Sequence, residues 1–309
     1  MVTTESRPPE IGVATSLNAD VAQLVDIARV SNKYGFKSLE VWALDAIHRY
    51  VNRKPSPILS GIISTTSFSF NSAPSTVNAP ASIQTTAQLT RLVRLAHMCN
   101  HKPLLNTMIE HLRQLMTASL QYAYLAMTLA DELDLRTLRG LAYFEVMQKA
   151  FIPKRTRIDK TPSQAPDAGG MDPKEGDVDE KGRLVINPSQ QLRLLSGYYR
   201  LTKSWEKFRS TPPSFNHSAL CGATWHQNGC TQSWLEFWRE KSKTDTVLAF
   251  GLADVVGRMK QIQKEFEKWG TAPHMHHDCR NTARKSIQEA IKKIDETLPD
   301  FFSEVGEDI

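Results

Sequence analysis

The chain has 309 residues, with 38 Lys or Arg and 33 Asp or Glu, so its net charge is +5. This small surplus argues against a nucleic-acid-binding stripe, and four cysteines are too few for a disulfide-dense secreted scaffold. No apolar run approaches about 18 residues, and the N-terminus lacks the apolar core of a signal peptide. The sequence therefore predicts an intracellular protein, cytoplasmic or nuclear, that does not enter a membrane.

Two helices are predicted near the start of the chain, the first over Val21–Tyr34 and the second from Ser38 onward. Apolar residues recur at helical spacing in both, and Gly35 is placed to end the first helix. A connection of about three residues makes such helices pack as a hairpin. Residues 54–86, rich in Ser, Thr, Asn and Pro, are predicted to form a long loop.

Helical periodicity returns at Leu89 and continues to Phe151, and Pro103 is placed to open one of these helices. Residues 153–183 hold seven basic and seven acidic residues and four prolines, which is typical of a solvated linker. Asn187 followed by proline marks the start of another helix. Its aromatic residues, with those further on, are predicted to pack in a core rather than line a peptide groove: Trp205, Phe208, Trp234, Phe237 and Trp238.

The last third of the chain has the strongest periodicity. One apolar seam is predicted to form an unbroken helix, and a second seam follows a loop at 270–282. The first seam contains Leu248, Leu252, Val255, Met259, Ile262, Phe266 and Trp269, and the second contains Ile287, Ile291, Ile294, Leu298 and Phe301. An intermolecular coiled coil and an intramolecular antiparallel pair both fit. The second helix in the same chain favours the intramolecular pair.

Several short motifs between about residues 8 and 302 share the pattern of one family. They are Leu24–Ala28, Lys33–Phe36, Leu39–Leu44, Asp134–Tyr143, Leu194–Tyr198 with Trp205, and Cys221 and Cys230 ahead of Trp234 and Trp238. In these motifs the chain resembles the BTB/POZ-domain proteins expanded in mushroom-forming fungi. The chain lacks most of the BTB core expected before Leu24, so the resemblance implies a truncated form. The dimerisation and cullin-ligase docking known for the family depend on that core.

Together these features predict an all-α fold of helical hairpins, followed by a C-terminal helical domain with a long antiparallel helix pair. Five parts are expected: residues 1–52 as remnant C-terminal helices of a BTB-like domain, 53–87 as a Ser/Thr/Pro-rich loop, 88–152 as a central helical region, 153–186 as a disordered linker, and 187–309 as the C-terminal helical domain.

One candidate metal site emerges from the cysteines. Cys221, His226 and Cys230 have Cys-x4-His-x3-Cys spacing, and Cys279 lies in the predicted loop between the two seams. Zinc prefers thiolate and imidazole ligands in a tetrahedron, so these four residues are predicted to bind a structural zinc ion. His274, His276 and His277 are nearby alternatives to His226. No Cys-x2-Cys knuckle is present, and three ordinary buried thiols are the simpler alternative.

No catalytic motif accompanies this site. The sequence contains no dinucleotide-binding glycine pattern, no phosphate-binding loop, no nucleophile elbow and no His-Glu-x-x-His. The His-rich run Pro273–Cys279 is the one feature that suggests a metal-dependent hydrolase. The chain is therefore predicted to be a non-enzymatic adaptor with protein partners, and its oligomeric state is open. The alternative is a nuclear or chromatin-associated regulator that uses the basic cluster Lys154, Arg155 and Arg157.

Overall fold

The computed structural model describes residues 20–59, 79–150, 175–176, 183–222, 224–269 and 275–303. Eleven helices are bounded within these residues, which confirms the all-α fold. In chain order they are α1 (Val21–Tyr34), α2 (Lys37–Val51), α3 (Ala79–Met98), α4 (Lys102–Ala118), α5 (Leu120–Glu132), α6 (Arg136–Lys149), α7 (Pro188–Ser210), α8 (Thr224–Lys241), α9 (Asp245–Leu248), α10 (Val255–Lys268) and α11 (His277–Phe301). No helix in this part of the chain is long and apolar enough to cross a membrane.

The chain divides into two compact units. The first comprises Met1–Tyr122 with Asp131–Asp134, and the second comprises Ala123–Ala130 with Leu135–Ile309. This division differs from the five predicted parts, because the central region expected over 88–152 contributes helices to both units. The basic cluster at 154–157 and most of the predicted linker lie outside the described residues.

In the first unit, α1 and α2 form the predicted hairpin. Asp20 caps α1, since its Oδ1 accepts a hydrogen bond from the backbone N–H of Ala22 at 2.9 Å. Gly35, with φ +77°, ends α1 in the left-handed conformation that glycine adopts without strain. The two helices bury apolar side chains against each other: Leu24, Val25, Ala28, Ala43, Leu44 and Ile47.

The next helix begins earlier than the sequence indicated. α3 starts at Ala79, inside the stretch predicted as loop to residue 87, whereas residues 60–78 of that stretch lie outside the described part. The Ser/Thr/Pro-rich composition favours a loop. Burial of Leu89 and Leu92 stabilises the helix that contains them, and this helix extends back through the preceding residues. Pro103 lies in the first turn of α4, as predicted.

The second unit has an aromatic core, as the sequence predicts. Trp205, Trp234, Phe237 and Trp238 are each at most 2% exposed. The Phe266 ring of α10 stands edge-on to the rings of Trp234 and Phe237, with ring centres 5.4 and 5.0 Å apart. These side chains fill the space between α7, α8 and α10 and leave no exposed aromatic groove there.

The first apolar seam is not one unbroken helix, so that prediction is wrong over residues 249–254. The chain turns between α9 and α10, which leaves the side chains of Leu248 and Leu252 43% and 51% exposed. Leu248 and Leu252 match the apolar spacing of the seam but are not buried. Residues at this spacing share one face only if they belong to the same continuous helix.

Two polar residues hold this turn. Asp254 caps α10 by accepting a hydrogen bond from the Gly257 N–H at 2.8 Å. The buried Arg258 donates two hydrogen bonds to the Phe250 carbonyl oxygen, at 3.3 and 2.8 Å, and its guanidinium carbon lies 4.9 Å from the centre of the Trp205 ring. A buried arginine in the first turn of α10 therefore replaces the missing helical turn with side-chain hydrogen bonds.

Helices α10 and α11 pack against each other within the chain, which agrees with the prediction of an intramolecular antiparallel pair. The end of α10 meets the start of α11, where Arg284 and Glu267 form an ion pair at 2.8 Å and Arg280 donates to the Phe266 carbonyl oxygen at 3.2 Å. The helices are therefore antiparallel. The residues buried along them are Val255, Met259, Ile262, Phe266, Ile287, Ile291, Ile294 and Leu298.

The far end of α11 packs against α6 and α7 at two glycines. A Cβ at Gly140 of α6 would lie 2.6 Å from the backbone nitrogen of Pro299. A Cβ at Gly197 of α7 would overlap the ring of Phe302, which is fully buried beside Tyr143. Both glycines lie inside helices, where they cost about 1 kcal/mol relative to alanine, so the close approach explains their presence.

We expect Gly140→Ala to destabilise the protein by about 1 to 3 kcal/mol, because the clash is with backbone and cannot be relieved by a rotamer change. Helix propensity alone predicts the opposite sign, a gain of about 1 kcal/mol. Gly251→Ala is the matched control, since a Cβ there meets nothing within 4 Å, and it should change stability by less than about 0.5 kcal/mol. Urea unfolding of both variants decides the sign. Equal stabilities would contradict the close-approach explanation.

Candidate metal centre

Three of the predicted ligands lie together in the second unit with a histidine that was not predicted. The donor atoms of His217, Cys221, Cys230 and Cys279 all lie within 4.8 Å of one another. Cys221 and Cys230 are 2% exposed, Cys279 is fully buried, and His217 is half-buried. This cluster could hold a metal ion.

The four residues come from three stretches of the chain. His217 and Cys221 lie on the connection between α7 and α8, where the Cys221 N–H donates to the Ser218 carbonyl oxygen at 2.9 Å and forms a tight turn. Cys230 lies in α8. Cys279 lies in the first turn of α11 and not in a loop, because α11 begins at His277. The site therefore joins elements that the sequence separates.

The same elements are also joined by ordinary hydrogen bonds around the cluster. Thr282 of α11 donates its hydroxyl to the Asn216 carbonyl oxygen at 2.7 Å. Trp234 of α8 donates its indole N–H to the Pro213 carbonyl oxygen at 3.1 Å. The connection is thus bound to both helices close to the ligand positions, which limits how far the donor atoms can move apart.

Hydrogen bonds orient the His217 ring toward the cluster. The Thr231 hydroxyl donates its proton to the Gln227 carbonyl oxygen at 3.0 Å. The Thr231 Oγ1 atom therefore accepts a hydrogen bond from His217 Nε2 at 3.1 Å. A neutral imidazole that donates through Nε2 has its lone pair on Nδ1. That Nδ1 atom lies 3.7 Å from the Cys279 sulfur, so the ring is set in the tautomer that ligates a metal through Nδ1.

Two of the sulfur atoms accept backbone hydrogen bonds. The Ser218 N–H donates to Cys279 Sγ and the His276 N–H donates to Cys230 Sγ, both at 3.3 Å. Cys230 and Cys279 are thus each linked through their sulfur atom to a backbone N–H of another segment, whereas Cys221 interacts with the other thiols.

Two of the six donor–donor separations fit a small tetrahedral ion, in a cluster whose donor atoms all lie within 4.8 Å of one another. A zinc–sulfur distance of about 2.3 Å and a zinc–nitrogen distance of about 2.0 Å give tetrahedral edges of about 3.8 Å between sulfurs and about 3.6 Å between sulfur and nitrogen. The Cys221 and Cys230 sulfurs lie 3.9 Å apart, and the Cys279 sulfur lies 3.7 Å from His217 Nδ1. Both measured edges agree with the expected ones within about 0.2 Å.

Without a cation Cys221 resists ionisation. Burial, followed by the hydrogen bonds that its thiol shares with Cys279 and Cys230, raises the pKa of Cys221 to about 12. A bound divalent cation reverses this preference, because thiolates are the species that coordinate metal. Cys221 therefore favours either the neutral thiol or a thiolate bound to a cation.

His226 does not take part in the cluster, so the predicted set is corrected at this position. Its exposed ring stacks on Trp225, with ring centres 3.5 Å apart, at the start of α8. His226 lies one helical turn before Cys230, so it projects beyond the cluster, and His217 takes its place from the preceding connection.

The described histidines of the His-rich run provide no ligand side chain to the cluster. His276 contributes a backbone N–H, and the His277 side chain is 80% exposed beside Asp278. His274 lies outside the described residues. One signal in the sequence points to His217, namely its His-x3-Cys spacing to Cys221.

We compared the chain with protein-family models, with curated proteins and with solved structures, and none of them matches. The BTB resemblance stays a prediction. What can be said of function therefore comes from the positions of this chain's own residues, above all the cluster of His217, Cys221, Cys230 and Cys279.

Replacing His217 with Ala should weaken metal binding at least about ten-fold, because it removes one of four donors. His226→Ala is the matched control and should leave affinity unchanged, since that ring lies outside the cluster. Titration with Co²⁺ checks both variants, because tetrahedral thiolate-bound cobalt has intense visible absorption bands. A larger loss with His226→Ala than with His217→Ala would contradict the assignment.

Proposed function

We propose that this chain is a non-enzymatic protein-interaction protein whose second unit is stabilised by one structural zinc ion. The observation that carries the proposal is the buried cluster of His217, Cys221, Cys230 and Cys279. Three sulfurs and one imidazole nitrogen form a donor set that suits zinc at tetrahedral separations.

A structural role is favoured over a catalytic one. The four protein donors complete a tetrahedral shell, which leaves no position for a substrate or an activated water. The ligands come from the α7–α8 connection, α8 and α11, so the ion cross-links elements that are distant in sequence. Such a cross-link contributes directly to folding free energy.

The interaction role is supported by the outer face of α7. Leu192, Leu195 and Tyr199 share one helical face and are 69%, 58% and 66% exposed. The opposite face holds the buried Leu194 and Trp205. Exposed apolar side chains grouped on one face are typical of surfaces that bind other proteins. The adaptor role also agrees with the resemblance to fungal BTB-domain proteins.

The proposal includes a cytoplasmic or nuclear location. Those compartments keep cysteine thiols reduced and so available to a metal ion. All four cysteines are free thiols, which suits such conditions.

We expect the purified protein to contain about one zinc ion per chain, because a structural site is close to fully occupied. Cys279→Ser should lose the zinc and lower the melting temperature. Cys99→Ser is the matched control, since Cys99 lies outside the cluster, and it should keep both unchanged. Elemental analysis together with thermal unfolding makes the measurement. Less than about 0.2 zinc per chain in protein prepared without chelators would contradict the proposal.

The interaction role has its own test. The triple variant Leu192→Ser, Leu195→Ser, Tyr199→Ser should lose at least about 90% of any stoichiometric protein partner, because it removes the exposed apolar contact. Lys207→Ser, on the exposed surface of the same helix, is the control and should keep the partner. Affinity capture from cells that make the protein, with quantitative mass spectrometry, compares the two. An identical partner yield would contradict this use of α7.

A further inference from the structure

The four donors of the cluster divide into two unequal pairs. The Cys221 and Cys230 sulfurs lie 3.9 Å apart, which makes them thiol neighbours. The Cys279 sulfur pairs with His217 Nδ1 at 3.7 Å. Cys221 also interacts with the Cys279 thiol, so the choice of Cys230 as its disulfide partner rests on the 3.9 Å sulfur–sulfur separation and on the pairing of Cys279 with an imidazole.

The three sulfurs also differ in their hydrogen bonds. Cys230 and Cys279 each accept a backbone N–H, at 3.3 Å in both cases. Among the described residues, Cys221 receives no such bond, and its sulfur contacts other thiols. A hydrogen bond to a thiolate withdraws electron density and lowers its nucleophilicity. Cys221 is therefore the most nucleophilic of the three once they are ionised.

Cys221 is also the one cysteine of the cluster that lies outside a helix. It lies on the α7–α8 connection, whereas Cys230 and Cys279 lie in helices. Leu220 before it is 78% exposed, and Gly222 after it has open space around its Cα. A disulfide needs the sulfurs about 2.05 Å apart, so the pair must close by roughly 1.9 Å. This exposed stretch can supply that movement without unwinding a helix.

We propose that the cluster is a peroxide-responsive switch in which Cys221 and Cys230 form a disulfide and the metal ion is released. The inference rests on the zinc site proposed above and adds its regulation. The oxidant is a hydroperoxide, a small two-electron oxidant that converts a thiolate to a sulfenic acid.

The chemistry balances in two steps. The Cys221 thiolate attacks the peroxide, so an S–O bond forms, the O–O bond breaks, and the leaving oxygen takes a proton to give water. The Cys230 thiolate then attacks the Cys221 sulfur, so the S–S bond forms, the S–O bond breaks, and hydroxide leaves and takes a second proton. Two thiolates, one hydrogen peroxide and two protons give one disulfide and two waters.

Oxidation of Cys221 and Cys230 would free the first turn of α11 from the metal ion. After oxidation only Cys279 and His217 remain as donors, and two ligands cannot complete the tetrahedral shell. The disulfide keeps the α7–α8 connection attached to α8. The metal-mediated link from both of them to the first turn of α11 is lost. The switch therefore acts on one end of one helix.

The test uses the full chain carrying Cys99→Ser, which removes the cysteine outside the cluster. Zinc-loaded protein is treated with hydrogen peroxide, zinc release is followed with a chromogenic chelator, and free thiols are then blocked for disulfide mapping by mass spectrometry. We expect about one zinc released per disulfide formed, a Cys221–Cys230 disulfide as at least about 80% of the product, and recovery of zinc binding after reduction.

Each other outcome overturns a specific claim. A dominant Cys221–Cys279 or Cys230–Cys279 disulfide, or release that occurs only with sulfinic or sulfonic acids, would overturn the switch while the zinc site stands. Zinc retained under peroxide would do the same. Protein that holds no zinc before treatment overturns the proposed function and the switch together, so the two failures are distinguishable.

Variants keep the order of reaction testable. Cys230→Ser in the same background should still react at Cys221, and the trapped sulfenic acid should be found there with a dimedone probe. Cys221→Ser should slow the first oxidation of the remaining thiols at least about ten-fold, because both accept backbone hydrogen bonds. Sulfenic acid found mainly at Cys279 in the Cys230→Ser protein would overturn the assignment of Cys221.

Discussion

The second unit depends on holding α11 at both of its ends. Its first turn supplies Cys279 to the donor cluster, and its last turn sets Pro299 against Gly140. Between these two anchors its apolar face packs along α10. A helix of 25 residues held in this way gives α6, α7 and α10 a common partner.

The two anchors work by different physics. At the far end, backbone and ring pack closely where the glycines carry no side chain, and the gain comes from dispersion and apolar burial. At the near end, polar sulfur and nitrogen atoms sit in a buried place that is costly for unpaired groups. In the proposed zinc site a cation would satisfy those groups together. The near anchor would then depend on metal supply and redox state, and the far anchor would not.

The sequence predicts the helices whose buried residues recur at a regular spacing, and it does not predict the features that lack such a pattern. Helical spacing predicted the α1–α2 hairpin and the antiparallel pair, because a buried stripe leaves a periodic trace. Helical spacing did not predict the turn before α10, because side-chain hydrogen bonds of Arg258 and Asp254 stabilise that turn and leave no periodic pattern. Cysteine chemistry identified three ligands. His217 was missed because its role depends on Thr231, a partner in a different element.

The position of α11 also has a consequence for the order of events during synthesis. Domains fold as they leave the ribosome, with N-terminal parts first. His217, Cys221 and Cys230 emerge well before Cys279, and Gly140 and Gly197 emerge well before Pro299. The aromatic side chains of α7, α8 and α10 can pack on one another before α11 emerges, but the surfaces of α6, α7 and α10 that α11 covers stay exposed until that late segment arrives. Nascent chains paused before that segment are the form of this protein most exposed to aggregation and to chaperone binding.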